Sequence, residues 1–394
     1  MSNKKEKSFC TNAIHGGEAR EKYSDSLTTP IVQTSTFTFK NTDEIEAYTS
    51  KRLDRYEYGR YGNPTQKVAE NRLAILENAE DCLLFSSGMT AIVTTILAFV
   101  KSGDHIVITD DCYKKTLEFC QSYLIRFGIE CTVVPFGDYD KLESSIKPNT
   151  RFIFSESPTN PYLNVFDLVK FSEIGKRHKV LTLIDSTFAT PYNQRPLLYG
   201  IDLVLHSATK YLGGHNDILA GAVLGRTELV SQVRVLHKAV GGVIDPHCAY
   251  LLIRGLKTFP QRVRIQNEST LKIAAHLEKH PKIERVYYPF LKSHTHHKIA
   301  VEQMAGGGGV VSFLIKGDLD GAKRFLNALE MIYIGPSLGG VETLITHPAL
   351  VTYYDYTREK RYELGITDTL FRLSVGLEDI DDILDDLEKG FSKI

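Results

Sequence analysis

Three short stretches carry residue types that can do chemistry. Lys210 sits in His206-Ser207-Ala208-Thr209-Lys210-Tyr211-Leu212-Gly213-Gly214-His215, directly after the apolar run 203–205. An amine at the carboxyl end of a buried strand stands where open α/β sheets bind their ligands. Ser207 and Thr209 bring hydroxyls, which suit a phosphate. The small residues around Lys210 leave room for a flat group. Such a lysine forms imines, and partial burial lowers its pKa and favours that chemistry. The plainer alternative is a surface lysine.

Asp185-Ser186-Thr187 closes the apolar run 180–184. An acid at such a strand end is rarely there for packing alone. It can hold a pyridine nitrogen protonated, so that the ring withdraws electrons. It can also be a simple cap. The third stretch is Phe85-Ser86-Ser87-Gly88-Met89-Thr90-Ala91, where a strand passes into a helix. Small residues let backbone approach a phosphate, and the helix start offers free N–H groups. An ordinary tight turn would look the same. Neither GxGxxG nor GxxxxGK[ST] occurs, which argues against a dinucleotide or P-loop site.

These stretches need a scaffold, and the sequence outlines one. Residues 105–109, 131–135, 151–154, 180–184, 203–205 and 220–224 read as strands. Between them 68–77, 117–127, 139–146 and 165–178 read as helices. This alternation implies an α/β fold with a mostly parallel sheet covered on both faces. A long helical region, 246–280, leads to a second αβ pattern with strands at 309–315 and 371–376 and helices at 319–329 and 379–391. Three units are expected: an irregular arm over 1–60, a large domain over 61–256 and a smaller C-terminal α/β domain over 257–394.

Composition narrows the classes. Among 394 residues, 47 basic and 48 acidic side chains leave a net charge of -1, so no basic surface calls for nucleic acid. No run reaches the ~18 apolar residues of a membrane span. The start, Met1 to Ser8, lacks the apolar core of a signal peptide. The six cysteines are scattered with no CxxC, as expected of a reducing compartment. A cytoplasmic enzyme with no metal is the expectation. Gly306 to Gly309 reads as a close-packed or flexible turn. His294, His296 and His297 read as a solvated stretch rather than metal ligands.

Ser207 to Asp217 (SATKYLGGHND), together with Glu156-Ser157-Pro158-Thr159-Asn160-Pro161, resembles the Cys/Met-metabolism pyridoxal-phosphate (PLP) enzymes. That family includes cystathionine γ-synthases and lyases and methionine γ-lyases. The resemblance runs from about Thr29 to Gly376 and implies PLP fold type I, the aspartate-aminotransferase-like fold. It implies that Lys210 holds PLP as an imine and shuttles protons, and that Asp185 faces the pyridine nitrogen. By the same resemblance Gly88, Met89, Ser207 and Thr209 bind the cofactor phosphate. Tyr113 stacks on the ring, and Asn160 lies near its 3′ oxygen. Arg372 and Ser337 would meet the substrate, Arg372 through its α-carboxylate. Tyr58 and Arg60, in Tyr58-Gly59-Arg60-Tyr61-Gly62-Asn63-Pro64, would reach the phosphate of a neighbouring subunit. The expected assembly is a homo-oligomer, by family habit a tetramer built as a dimer of dimers.

Within the family, Tyr113-Lys114-Lys115-Thr116 and Pro336 before Ser337 resemble the plant-type cystathionine γ-synthases. The expected reaction replaces the γ-substituent of O-phosphohomoserine or O-succinylhomoserine with cysteine, and Lys115 would meet an anionic leaving group. The alternatives are γ-elimination, γ-replacement with another nucleophile in specialised metabolism, a non-catalytic binding protein of the same fold, and a nucleotide-dependent dehydrogenase.

Overall fold

A computed structural model describes residues 7–394; positions 1–6 of the expected arm, and most of the terminal run read above, lie outside the described residues. The large sheet holds β1 (Asp81–Phe85), β2 (His105–Thr109), β3 (Glu130–Val134), β4 (Thr150–Glu156), β5 (Leu181–Asp185), β6 (Leu203–His206) and β7 (Gly221–Gly225). Their spatial order is β1-β7-β6-β5-β4-β2-β3. β2 to β6 are parallel, and β7 runs against both its neighbours.

Helices cover both faces, and the side chains sort by strand period. Ile106 and Ile108 join one apolar cluster with the helices Gly88–Phe99 and Thr227–Val240. Val107 joins the opposite cluster with Phe171 and Ile174 of the helix Leu168–His178. Burial on both faces explains why β2, β6 and β7 read as unbroken apolar runs. The expected helix over 117–127 is irregular. It is a short α-helix, Lys114–Glu118, followed by a π turn and a 3-10 turn.

The smaller sheet holds β8 (Ile283–Tyr287), β9 (Val310–Ile315), β10 (Tyr333–Ile334), β11 (Leu344–Thr346) and β12 (Leu370–Ser374), in the order β10-β11-β12-β9-β8. It is antiparallel apart from the β10–β11 pair. Sequence patterning indicated only β9 and β12; β11, though mostly buried, is three residues long and too short to show a period. β8 is an edge with Glu284 and Arg285 exposed, and β10 is exposed.

The helix Pro246–Leu277 is 32 residues long and serves both cores. Leu252, Leu256 and Phe259 pack with the large sheet, while Ile273, Ala274 and Leu277 pack with the small one. The division expected at 256/257 therefore falls inside one continuous helix. No helix among the described residues is long and apolar enough to cross a membrane.

The N-terminal region is less arm-like than its sequence suggests. The helix Phe9–His15 docks on the body, with Ala13 in the main core and Phe9 against Tyr192. Arg72, fully buried, holds the following turn. Its guanidinium donates to Gly16 O at 3.0 Å and Ile253 O at 3.3 Å and pairs with Glu18 at 3.3 Å. Past this clamp the chain is loosely applied, and Tyr23 and Leu27 are 83% and 88% exposed.

Removing the cation leaves two buried carbonyl groups without this donor and Glu18 with only the Thr29 hydroxyl and the Lys22 amine. Arg72→Ala should therefore cost about 3 kcal/mol or more, read from guanidinium unfolding. A loss under about 1 kcal/mol would mean that the clamp contributes no more than a surface pair.

Candidate active site

β1, β2, β4, β5 and β6 point their carboxyl ends to one edge of the large sheet. Their loops line a cavity of about 550 Å³, which the small domain closes with Ser337, Thr346 and Arg372. Gly88, Met89, Tyr113, Lys115, Asn160, Asp185, Ser207, Thr209, Lys210, Ser337 and Arg372, scattered in sequence, meet here.

Lys210 follows β6 in a tight turn, its N–H donating to Ser207 O at 3.1 Å. The base of this turn is held by His206, whose Nε2 lies 2.9 Å from the buried Glu77 carboxylate. Lys210 Nζ donates to Ser337 Oγ at 2.8 Å. Burial, with the nearby Arg372 charge second, lowers its pKa to about 8. Ser337 itself sits at φ 90, a conformation that costs a non-glycine residue about 1–3 kcal/mol.

Asp185 ends β5 and is buried. Its Oδ1 accepts from the N–H and hydroxyl of Thr187, at 3.0 and 2.6 Å. Burial raises its pKa and the Thr187 bonds oppose that. Glu156 lies directly across the β4–β5 ladder from it. Burial, and then the Asp185 charge, push Glu156 well above the usual carboxylate range. Glu156 accepts the Tyr113 N–H at 2.8 Å, so it positions the residue expected to stack on the cofactor. Sequence reasoning quoted Glu156 but gave it no role; an acid ending a buried strand was the available signal.

At the start of the helix Gly88–Phe99, Ser87 Oγ accepts the Thr90 N–H at 3.1 Å. The N–H groups of Gly88 and Met89 find no acceptor among the described residues. A Cβ on Gly88 would stand 2.8 Å from Ser207 Cβ, so only glycine lets the two loops meet. The two expected hydroxyls differ. Thr209 Oγ1 accepts from Ala220 N–H at 2.9 Å and lies 3.2 Å from Ala220 O, so it is occupied in shaping the turn. The Ser207 side chain lines the cavity beside it.

Arg372, on β12, is buried. Nη1 donates to Asn160 Oδ1 at 3.0 Å and Nη2 to Ser337 O at 2.8 Å. Its Nε is buried without a partner among the described residues. Burial lowers its pKa to about 10. A guanidinium held by neutral acceptors, with an N–H unspent, is a receptor for a carboxylate. Asn160 thus orients Arg372 from within the same cavity.

Other residues stand apart. Tyr58 and Arg60 do not line the cavity; Arg60 packs on the Tyr58 and Tyr61 rings, 5.6 and 5.1 Å from their centroids. Lys115 is 56% exposed at the cavity wall, with Nζ 2.6 Å from Glu118. The histidine cluster is not the solvated stretch expected. His294 is buried, bonds Tyr162 O, and has its pKa lowered to about 4 by burial. Among the described residues no group of His, Cys, Asp or Glu is placed to hold a metal ion. The glycine run is close-packed, since a Cβ on Gly307 would enter the Tyr288 ring.

PLP fits these residues. The depressed Lys210 amine suits its aldehyde, Asp185 its ring nitrogen, and the unspent N–H groups at Gly88 and Met89 its phosphate. Known proteins agree. Residues 10–392 match the Cys/Met metabolism PLP-dependent enzymes. Cystathionine gamma-synthase 1, chloroplastic, of Nicotiana tabacum is 47% identical over 385 residues, 97% of this chain and 71% of that protein. L-methionine gamma-lyase of Fusobacterium nucleatum subsp. polymorphum is 44% identical over 98% of both chains. The crystal structure of cystathionine gamma-lyase from Lactobacillus plantarum, complexed with L-serine, superimposes with a TM-score of 0.91 at 36% identity, covering 98% of this chain and 99% of that one. The fold is thus fold type I and the enzyme is PLP-dependent, as the sequence resemblance implied.

The Lys210 amine is neutral only above about 8, so cofactor-free protein should take up PLP faster as pH rises, levelling off past that point. In Arg372→Gln one repelling charge is gone, and the inflection should move up. A wild-type inflection near the ordinary lysine value of ~10.4 would show that the amine is solvated.

Proposed function

The chain belongs to the Cys/Met metabolism PLP-dependent enzyme family, and on that premise we propose that it joins an activated homoserine ester to cysteine, expelling the γ-substituent and forming cystathionine. The observation that carries this is the exposed Lys115 ammonium in the same cavity as the buried Arg372 guanidinium. A substrate with an α-carboxylate and an anionic side-chain ester would have both charges met. Lys115 is held only by an exposed pair with Glu118, so a phosphate dianion displaces that partner at little cost. O-Phosphohomoserine is the preferred substrate and O-succinylhomoserine the second choice. The tobacco relative's name supports the same direction.

Each residue then has a task. Arg372 binds the α-carboxylate, with Asn160 and the Ser337 carbonyl fixing its plane. Lys210, with a pKa of about 8, takes the proton from Cα, and the Ser337 hydroxyl holds its amine in place. Asp185 keeps its charge toward the ring nitrogen. When bound, PLP supplies the electron sink for the carbon chemistry. Tyr113 covers the ring, and Lys115 receives the departing anion. Tyr58 and Arg60 complete the phosphate site of a neighbouring subunit in a homo-oligomer, a tetramer by family habit. Their distance from their own chain's cavity supports this.

A second reading is γ-elimination to a 2-oxo acid and ammonia, which the similarity to the Fusobacterium L-methionine gamma-lyase favours. Incubating the PLP-loaded protein with O-phosphohomoserine, with and without cysteine, separates the two. Cystathionine and phosphate formed only with cysteine is the expected result. 2-Oxobutanoate and ammonia formed regardless of cysteine would establish the second reading. Lys115→Ala should raise KM for the phosphorylated ester about tenfold and for the succinylated one much less; equal effects would remove Lys115 from the leaving-group site.

A further inference from the structure

The neighbour of the expected leaving-group lysine is placed quite differently. Lys114 side-chain exposure is only 11%, against 56% for Lys115. All its polar contacts reach across to the small domain. Nζ donates to Thr352 O at 3.2 Å and pairs with Asp355. It also lies over two rings, 4.2 Å from the Tyr356 centroid and 5.4 Å from that of Tyr353.

These partners belong to one strap, residues 352–357, between the helices Pro348–Val351 and Arg358–Glu363. Both ends of the strap are tied to the small domain through one residue, Asp368. His347, before the strap, bonds Asp368 O at 2.9 Å. Arg358 and Arg361, after it, each reach the Asp368 carboxylate at 2.8 Å. The middle crosses to the large domain and places Thr352, Tyr354 and Asp355 on the wall of the cavity. Tyr354 is 76% exposed, so its own packing does not hold that tip down.

We propose that Lys114 is a positioning residue that clasps this strap over the cavity, and that Lys114 and Lys115, adjacent in sequence, divide the work between closing the site and meeting the leaving group. Lys114 acts through Asp355 and Thr352 and does not touch the reacting atoms. The backbone explains the division. Both residues open the short helix Lys114–Glu118, and successive helical positions face directions about 100° apart. The clasp holds whatever the nucleophile, because it closes the cavity for any amino acid seated on Arg372. It rests on that cavity being the substrate site, but its first readout does not.

Amide exchange by mass spectrometry on the PLP-loaded protein is that readout. Lys114→Met and Asp355→Asn should each speed exchange across residues 349–357 by about fivefold, with β12 unchanged. The exchanged pair Lys114→Asp with Asp355→Lys should restore much of the protection. Unchanged exchange in both single variants, or loosening that spreads through β12, would overturn the clasp. In steady state, Lys114→Met should raise KM for the phosphorylated and succinylated esters by the same factor. A rise confined to the phosphorylated ester would make Lys114 a leaving-group contact and overturn the division of labour.

Discussion

Burial of charge at one edge of a sheet governs this site. Lys210, Arg372, Asp185 and Glu156 all lie largely out of water within a single cavity. Each pays a desolvation cost, and each pKa is displaced by burial first. The Arg372 charge lowers the Lys210 pKa further, and the Asp185 charge raises that of Glu156 further. The arrangement suits a protonated ring nitrogen at Asp185, an anion at Arg372 and a neutral amine at Lys210. A PLP-bound amino acid has that charge pattern, so the same energy that burdens the protein is returned on binding.

The fold makes that burial tolerable by supplying backbone rather than countercharges. Thr187 gives Asp185 both its N–H and its hydroxyl. Tyr113 gives Glu156 an N–H, and Ser337 gives Arg372 a carbonyl. Parallel strands end together, so five loops can deliver such groups to one place. The single antiparallel strand, β7, lies between β1 and β6 and leaves that edge intact.

The long helix Pro246–Leu277 sets the distance between the two halves. Its two ends are packed into different cores, so Arg372 and Ser337 approach Lys210 from the small domain. Closure at the mouth is left to a lighter element, the strap that meets Lys114. A site needing both a fixed chemical centre and entry for substrate is well served by that combination.

The sequence by itself determined the strand and helix alternation of the large domain, the lysine, acid and glycine turns at strand ends, and, through resemblance, the family and its cofactor. Those features depend on local periodicity and on residue types that have few other uses in such positions. The sequence left β8 and β10 unread, because their exposed residues carry no burial pattern, and β11 unread because three residues are too few to show one. It also treated three histidines as solvated, although His294 is packed against Tyr162. Tertiary structure alone decided that Glu156 faces Asp185, that Thr209 is spent on Ala220, and that Lys114 turns to the small domain while Lys115 stays exposed at the cavity wall. The first and third depend on residues far apart in the chain. Side-chain direction and desolvation exist only once the two sheets have met.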